Sequence, residues 1–89
     1  MTQNPSDSKA RLATGICQIE LGKNDEALTT FKPLFDANDP LFQEQALWYS
    51  AMATLKKGDK AACKPFLEKL AVEEEGQFYE KAVEVLKHL

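Results

Sequence analysis

The sequence predicts an all-α domain: five antiparallel helices forming about two and a half helix–turn–helix repeats of an α-solenoid. Three observations support this fold class. Apolar residues recur at helical spacing along almost the whole chain, and no stretch alternates as a strand would. Glycine or an Asp-Pro pair separates most of the apolar segments. The chain also aligns with itself without a gap at a shift of 36 residues, which places Gly22 on Gly58.

The chain opens with a polar lead, residues 1–7, which we expect to be flexible. Ser6 and Ser8 mark the start of the first helix, because a serine hydroxyl can accept a hydrogen bond from an unpaired N–H group there. The segment Lys9–Leu21 is apolar over a broad helical face. Gly22 ends it, since glycine adopts a positive φ without steric penalty.

The second helix is capped by Asn24 or Asp25 and interrupted near its end by Pro33. Its apolar face consists of Ala27, Leu28, Phe31, Leu34 and Phe35. Asp39 then caps the central helix, Pro40–Lys57, whose first position suits proline because no N–H is needed there. This helix is apolar on nearly every side, which predicts neighbours on more than one face.

Gly58 ends the central helix, and Asp59 caps a fourth one, in which we expect a local bend at Pro65. The inward residues of the fourth helix are Ala62, Cys63, Phe66, Leu67, Leu70 and Ala71. After the acidic run Glu73–Glu75 a last helix, 77–89, completes the chain. It buries Phe78, Ala82, Val85 and Leu89, or Val83 and Leu86 on the adjoining face.

The 36-residue register aligns similar side chains. The aligned positions include Ala10–Ala46–Ala82, Gly15–Ala51, Ile16–Met52, Cys17–Ala53, Gly22–Gly58, Ala27–Cys63, Phe31–Leu67 and Leu34–Leu70. Small residues fall on small ones and large apolar residues on large ones. A helix–turn–helix unit repeated at such a period is typical of helical solenoids.

In these features the chain resembles the tetratricopeptide repeat family, whose second helix carries alanine followed four residues later by an aromatic residue. Ala27 and Phe31 match that pattern, after Gly15 and Gly22 in the preceding helix and turn. The second repeat is similar, with Leu47, Trp48, Tyr49, Ala51, Gly58, Cys63 and Leu67 at the related positions.

The resemblance implies repeat 1 at about 8–39, repeat 2 at about 40–75 and a capping helix at 77–89. The period is longer than the family's usual 34 residues. Polar residues also stand at places that are usually Leu or Tyr, which we expect to weaken packing within each repeat: Thr14, Gln18, Ser50 and Thr54. Degenerate members of the family are therefore the better comparison.

The resemblance also implies that the first helices of the repeats line a concave groove. The groove candidates are Leu12, Ile16, Ile19, Trp48, Met52 and Leu55. Relatives that bind chaperones clamp a carboxylate with Lys and Asn, but this chain has Leu12 and Ile16 there, so we predict no clamp. Such a groove favours an amphipathic helix or an apolar segment. The alternative is that these residues are ordinary core, or are covered by another part of a longer parent protein.

Composition excludes other partners and most chemistry. A net charge of −3 and a pI near 5.1 argue against nucleic acid and against direct membrane binding. His88 is the only histidine and has no converging ligands, and the glycines are dispersed, so we expect no catalytic site, metal or cofactor. Cys17 and Cys63 are expected to be buried thiols, with a Cys17–Cys63 disulfide as the alternative.

We therefore expect a non-enzymatic protein–protein interaction or assembly module, one domain of a larger bacterial-type protein. The alternative is a structural homo-oligomerisation domain, because solenoids usually need about three repeats. The pairs Phe78-Tyr79 and Val83-Leu86 are candidates for that self-association. A soluble cytoplasmic location is favoured, and a periplasmic one is left open if a signal or anchor was removed. The sequence does not identify the partner.

Overall fold

The computed structural model describes residues 5–36 and 39–89, and its regular elements are all helical. Five α-helices span Pro5–Glu20 (α1), Asn24–Phe31 (α2), Pro40–Lys56 (α3), Lys60–Ala71 (α4) and Tyr79–Lys87 (α5). A 3-10 helix, Lys32–Asp36, extends α2, and no strand occurs in the described residues. The prediction of an all-α chain with five helices is confirmed.

The beginnings of α1 and α2 differ from the prediction. α1 starts at Pro5, a residue well suited to the first helical position, so only residues 1–4 of the predicted lead lie outside the described part. Neither Asn24 nor Asp25 caps α2. Both belong to its first turn, and Lys23 precedes it without a side-chain cap. An acidic Asp25 in that turn still suits the positive end of the helix dipole.

Prolines have different effects in the two second helices. Pro33 lies in the 3-10 helix that follows α2, where its missing N–H cannot donate to the carbonyl four residues earlier. Pro65 lies inside α4, and the helix continues past it to Ala71. The helical path of the chain therefore survives both prolines, with a change of helix type only at the first.

The turns between α1 and α2 and between α3 and α4 are built in the same way. Gly22 and Gly58 have φ values of 81° and 84°. Each glycine N–H donates to the carbonyl three residues before, and the next N–H donates to the carbonyl five residues before. The four bonds, donor first, are Gly22–Ile19 (3.0 Å), Lys23–Gln18 (2.8 Å), Gly58–Leu55 (2.9 Å) and Asp59–Thr54 (2.9 Å). This pattern satisfies carbonyls that a helix end otherwise leaves unpaired, and it confirms that both glycines end helices.

Aspartate caps start the two helices of the second hairpin. The Asp39 carboxylate accepts a 2.9 Å hydrogen bond from the Leu41 N–H, with Pro40 at the first helical position. The Asp59 carboxylate accepts a 3.0 Å bond from the Ala62 N–H. Both predicted caps are confirmed.

Buried side chains form two clusters that meet at α3. The first contains Leu12, Ile19, Ala27, Phe31, Leu34, Ala46 and Ala53. The second contains Ala51, Cys63, Leu67, Leu70 and Ala82. Because α3 contributes to both clusters and packs against α1, α2, the 3-10 helix and α4, it is the central helix that the sequence predicts. The helix α5 packs on α4, and the Cα atoms extend over only 40 × 30 × 16 Å.

An exposed ion pair links the two hairpins. The Lys57 ammonium, just after α3, donates to the carboxylate of Asp25 in α2. That hydrogen bond raises the pKa of Lys57 above its ordinary value. Surface pairs of this kind stabilise a fold little, so the packing of α3 carries most of the connection between the hairpins.

Candidate protein-interaction surface

The three groove candidates on α1 do not share one environment. Leu12 and Ile19 are 8% and 6% exposed and belong to the first buried cluster. Ile16 is half-buried and packs at the edge of that cluster. Leu12 and Ile19 therefore act as core residues, and Ile16 is the one of the three that offers surface to a partner.

The three groove candidates on α3 are all half-buried. Trp48, Met52 and Leu55 follow one another at spacings of four and three residues, so they form one row along the helix. They pack against the second buried cluster, as do Phe78, Val85 and Leu86 from the C-terminal segment. The structure thus keeps this row together and leaves part of each side chain accessible.

A stacked aromatic pair joins this row to the last helix. The rings of Trp48 and Phe78 are nearly parallel, at 6°, with centroids 5.3 Å apart. The Lys81 ammonium lies 6.0 Å from the centre of the Trp48 ring and 5.9 Å from that of Phe78. Stacking contributes about 0.5–1.5 kcal/mol beyond the burial of the rings, and an exposed cation–π contact about 0.5–1 kcal/mol. Phe78, a candidate for self-association from the sequence, instead covers one face of Trp48.

Exposed polar side chains follow one another along α5 and its C-terminal end, and Lys81 among them reaches the row at Trp48. His88 and Glu84 lie one helical turn apart with a 3.3 Å contact between Nε2 and a carboxylate oxygen, and both are well exposed. Lys81 lies one turn earlier on the same helix. The surface therefore changes from aromatic and aliphatic on α3 to charged on α5.

The polar residues that should weaken packing behave differently in the two hairpins. The buried Thr54 hydroxyl lies 2.8 Å from the Ala51 carbonyl, to which it can donate. The buried Ser50 hydroxyl has no hydrogen-bond partner among the described atoms. In the first hairpin Thr14 is exposed, and Gln18 accepts a 2.7 Å bond from the Thr30 hydroxyl. Of the four positions, Ser50 is the one left buried and unsatisfied, at a cost of about 1–3 kcal/mol.

The two thiols are free, and one of them is not where the sequence predicts it. Cys63 is fully buried, as expected, and this burial raises the pKa of its thiol. Cys17 is exposed, so its predicted burial is wrong. The reason is that it faces away from the first cluster, on a side of α1 that no described element covers. The alternative Cys17–Cys63 disulfide is not formed.

A cleft of about 480 Å³ lies between the start of α3 and the end of α4. Its lining includes the apolar Leu47 and Leu70, with acidic residues and one lysine around them. One of those carboxylates, Glu44, accepts a 3.0 Å hydrogen bond from the Gln77 N–H and so holds the link before α5. The sequence carries no signal for this contact, because the partners are 33 residues apart.

Two further properties of the described residues concern metal binding and membrane crossing. They contain no group of three His, Cys, Asp or Glu side chains that could hold a metal ion. Among their helices, none is both long and apolar enough to cross a membrane. The half-buried row on α3 is the feature of this surface that a protein partner could use, and Ile16 on α1 lies at the edge of the other cluster.

Comparison of the chain with protein-family models, with curated proteins and with solved structures gave no match. No family assignment follows from them. The resemblance to tetratricopeptide repeats is therefore a prediction from this chain's own residues.

Proposed function

We propose that this chain is a non-enzymatic protein-interaction or assembly module of degenerate tetratricopeptide-like repeats. The supporting observation for the repeat is the pair of turns at Gly22 and Gly58, which share the same backbone hydrogen bonds at the 36-residue spacing of the sequence register. The two hairpins that contain these turns also bury aligned residues: Phe31 belongs to the first cluster and Leu67 to the second. Repeats of this kind offer extended surfaces for binding.

The partially accessible apolar row carries the proposal for binding. Trp48, Met52 and Leu55 on α3, with Ile16 on α1, are neither fully buried nor fully exposed. Trp and Met are favoured in protein-binding surfaces because the first supplies a large rigid contact and the second adapts to irregular shapes. The partner that fits such a row is an amphipathic helix or an apolar segment, whose apolar side chains would cover it.

Fluorescence provides a direct test, because Trp48 is the only tryptophan. We would titrate the chain with a set of amphipathic helical peptides that lack tryptophan. Binding over the row should shift the Trp48 emission to the blue. Met52→Glu should abolish that shift while circular dichroism stays helical, because a carboxylate in the row would have to be desolvated.

The matched control is Val72→Glu, a change at an apolar residue that is 75% exposed and lies outside the row. It should bind as the unchanged chain does. Trp48→Ala removes the fluorescence reporter, so its binding is measured by pulldown and its folding by circular dichroism. Lost binding in a folded protein supports a groove, and simple unfolding supports a core. The proposal fails if no peptide shifts the emission, or if Met52→Glu and the control bind equally well.

A structural homo-oligomerisation domain remains the second candidate. It is favoured by one observation, the uncovered side of α1 on which Cys17 lies. Light scattering over a wide concentration range tests this second candidate, since a strict monomer rules it out.

A further inference from the structure

One side of α1 is both uncharged and exposed. The residues of this side, here called the α1 face, are spaced three or four apart along the helix, so they form one surface. They are Ala10, Ala13, Thr14, Cys17 and Leu21. Exposed helix faces usually carry charges, and this one carries none over three turns.

The internal register shows how the fold uses this face elsewhere. Shifting by 36 residues moves Ala10, Thr14 and Cys17 onto Ala46, Ser50 and Ala53 of α3, which are all fully buried. Ala13 moves onto the half-buried Tyr49, and Leu21 moves onto the exposed Lys57 just after α3. Ala46 and Ala53 lie in the first cluster together with Phe31 and Leu34 of the preceding hairpin. The equivalent face is therefore a helix-packing surface in the second hairpin. In the first hairpin the same kind of surface has no covering element among the described residues.

The charges beside the α1 face favour a second copy of the same helix as its cover. Lys9 and Glu20 are exposed and lie eleven residues apart, which is close to three turns, so they share one edge of the face. An antiparallel pairing about a twofold axis brings Lys9 of each copy near Glu20 of the other. A parallel pairing about a twofold axis would place this edge of the two helices on opposite sides of the seam, so Lys9 and Glu20 could not meet. The face is thus self-complementary in the antiparallel sense only.

The opposite end of the chain is a poor cover for this face. The exposed residues of α5 include Glu80, Lys81, Glu84 and Lys87. Stacking α5 on the α1 face would press these charges against an uncharged surface, which is unfavourable without partners. Head-to-tail assembly is therefore disfavoured relative to a closed pair of α1 helices.

We propose that two copies of this chain associate through their α1 faces, antiparallel about a twofold axis. The small side chains of Ala10 and Ala13 let the two helices approach closely, and Lys9–Glu20 pairs close both ends. One helix pair buries less than the roughly 800 Å² per partner of a standard interface, so the association is weak and reversible. The interface lies apart from the Trp48 row, so it does not depend on what that row binds.

Sedimentation equilibrium of the full chain, up to about 1 mM, tests the pairing. The unchanged chain should form dimers, and Ala13→Glu should weaken dimerisation at least tenfold, because it places two carboxylates in an uncharged interface. Ala61→Glu is the matched control, at an exposed alanine of α4, and should leave dimerisation unchanged. A chain that stays monomeric throughout, or an Ala13→Glu variant that dimerises normally, overturns the proposal.

A charge exchange tests the antiparallel arrangement. Lys9→Glu alone and Glu20→Lys alone should each weaken dimerisation a few-fold, since each places like charges together. The double variant should recover the original affinity, because the pairs are restored with reversed signs. A double variant no tighter than either single variant overturns the antiparallel geometry. Circular dichroism of all variants verifies that α1 remains folded.

Discussion

The two hairpins, α1–α2 and α3–α4, share a turn but divide their core volume differently. In the first, Gly15 lies so close to Phe31 that a Cβ on it would fall 2.3 Å from a ring carbon. In the second, Ala51 and Leu67 stand at the aligned positions, and both are fully buried. Compared with α1, α3 therefore has an additional methyl group at this position, and the side chain opposite it is smaller. The two hairpins thus share their turn geometry and divide a similar core volume differently between their helices, and cores tolerate such volume-conserving differences best.

The hairpins also differ in how much of their first helix is covered. α3 lies between the first hairpin and α4, so its small residues Ala46 and Ala53 are buried. α1 lies at the edge, so the aligned Ala10 and Cys17 are exposed. Positions aligned by the 36-residue register therefore agree in backbone conformation better than in burial, because burial depends on whether a neighbour is present.

The largest effect should come from adding a methyl group to the first hairpin. Gly15→Ala should destabilise the fold by about 1–3 kcal/mol, because the Phe31 ring is fully buried and has little room to move. This loss would appear despite the better helix propensity of alanine, worth up to about 1 kcal/mol. Urea unfolding measured by circular dichroism gives the change in free energy.

The double variant Gly15→Ala with Phe31→Leu copies the second hairpin and should recover most of the lost stability. Phe31→Leu alone serves as the control and should cost about 1 kcal/mol, because it leaves space beside Gly15. A favourable coupling between the two changes supports the proposed equivalence of the hairpins. Simple additivity would contradict it.

The next effect concerns the two turns. Gly22→Ala and Gly58→Ala should each cost about 1–2 kcal/mol, because an alanine at positive φ is strained. Apart from its chain neighbours, no atom lies within 4 Å of a Cβ built on either glycine. Backbone strain therefore acts alone, and the two losses should agree within about 0.5 kcal/mol.

Asparagine at the same two positions is the control, since it tolerates this conformation better and should cost less than alanine. Thermal or urea unfolding of the four variants makes the comparison. Clearly unequal losses of unfolding free energy for the two alanine variants would contradict the equal backbone strain expected at the two turns.

The features that sequence predicts well here depend on local rules. The glycines that end α1 and α3 and the aspartates that start α3 and α4 are fixed by φ, by unpaired N–H groups and by their nearest neighbours. The central position of α3 follows from its apolar surface on all sides. The predicted cap of α2 is wrong because asparagine suits the first turn of a helix as well as the cap position. Only the backbone conformation distinguishes these two positions.

The features that sequence does not predict depend on which elements meet. Periodicity identifies Leu12, Ile16 and Ile19 as one apolar side, but the degree to which each is covered depends on the path of the neighbouring helices. The stacking of Trp48 on Phe78 joins residues 30 positions apart, counting from 48 to 78, with no local signal. For the same reason the sequence cannot separate a groove residue from a core residue on α3.

The smallest expected effect is a difference in reactivity between two thiols, Cys17 in the first hairpin and Cys63 in the second. In the native chain a disulfide-exchange reagent should titrate a single fast thiol at pH 8, because Cys17 is exposed while Cys63 is fully buried and has a raised pKa. In denaturant it should titrate both. Cys17→Ser should remove the fast reaction and leave a slow one, whose rate measures the opening of the α3–α4 hairpin.

The buried Cys63 thiol also makes the stability of the fold depend on pH. Burial raises the pKa of Cys63 in the folded chain, so the folded state holds this proton more tightly than the unfolded state does. Its contribution to stability is complete below the ordinary value of 9.0 and decreases as pH rises from there through the raised value. Cys63→Ala should flatten this part of the stability curve, whereas Cys17→Ser should not. Two equally fast native thiols, or the same alkaline loss in both variants, would contradict the packing described for the second hairpin.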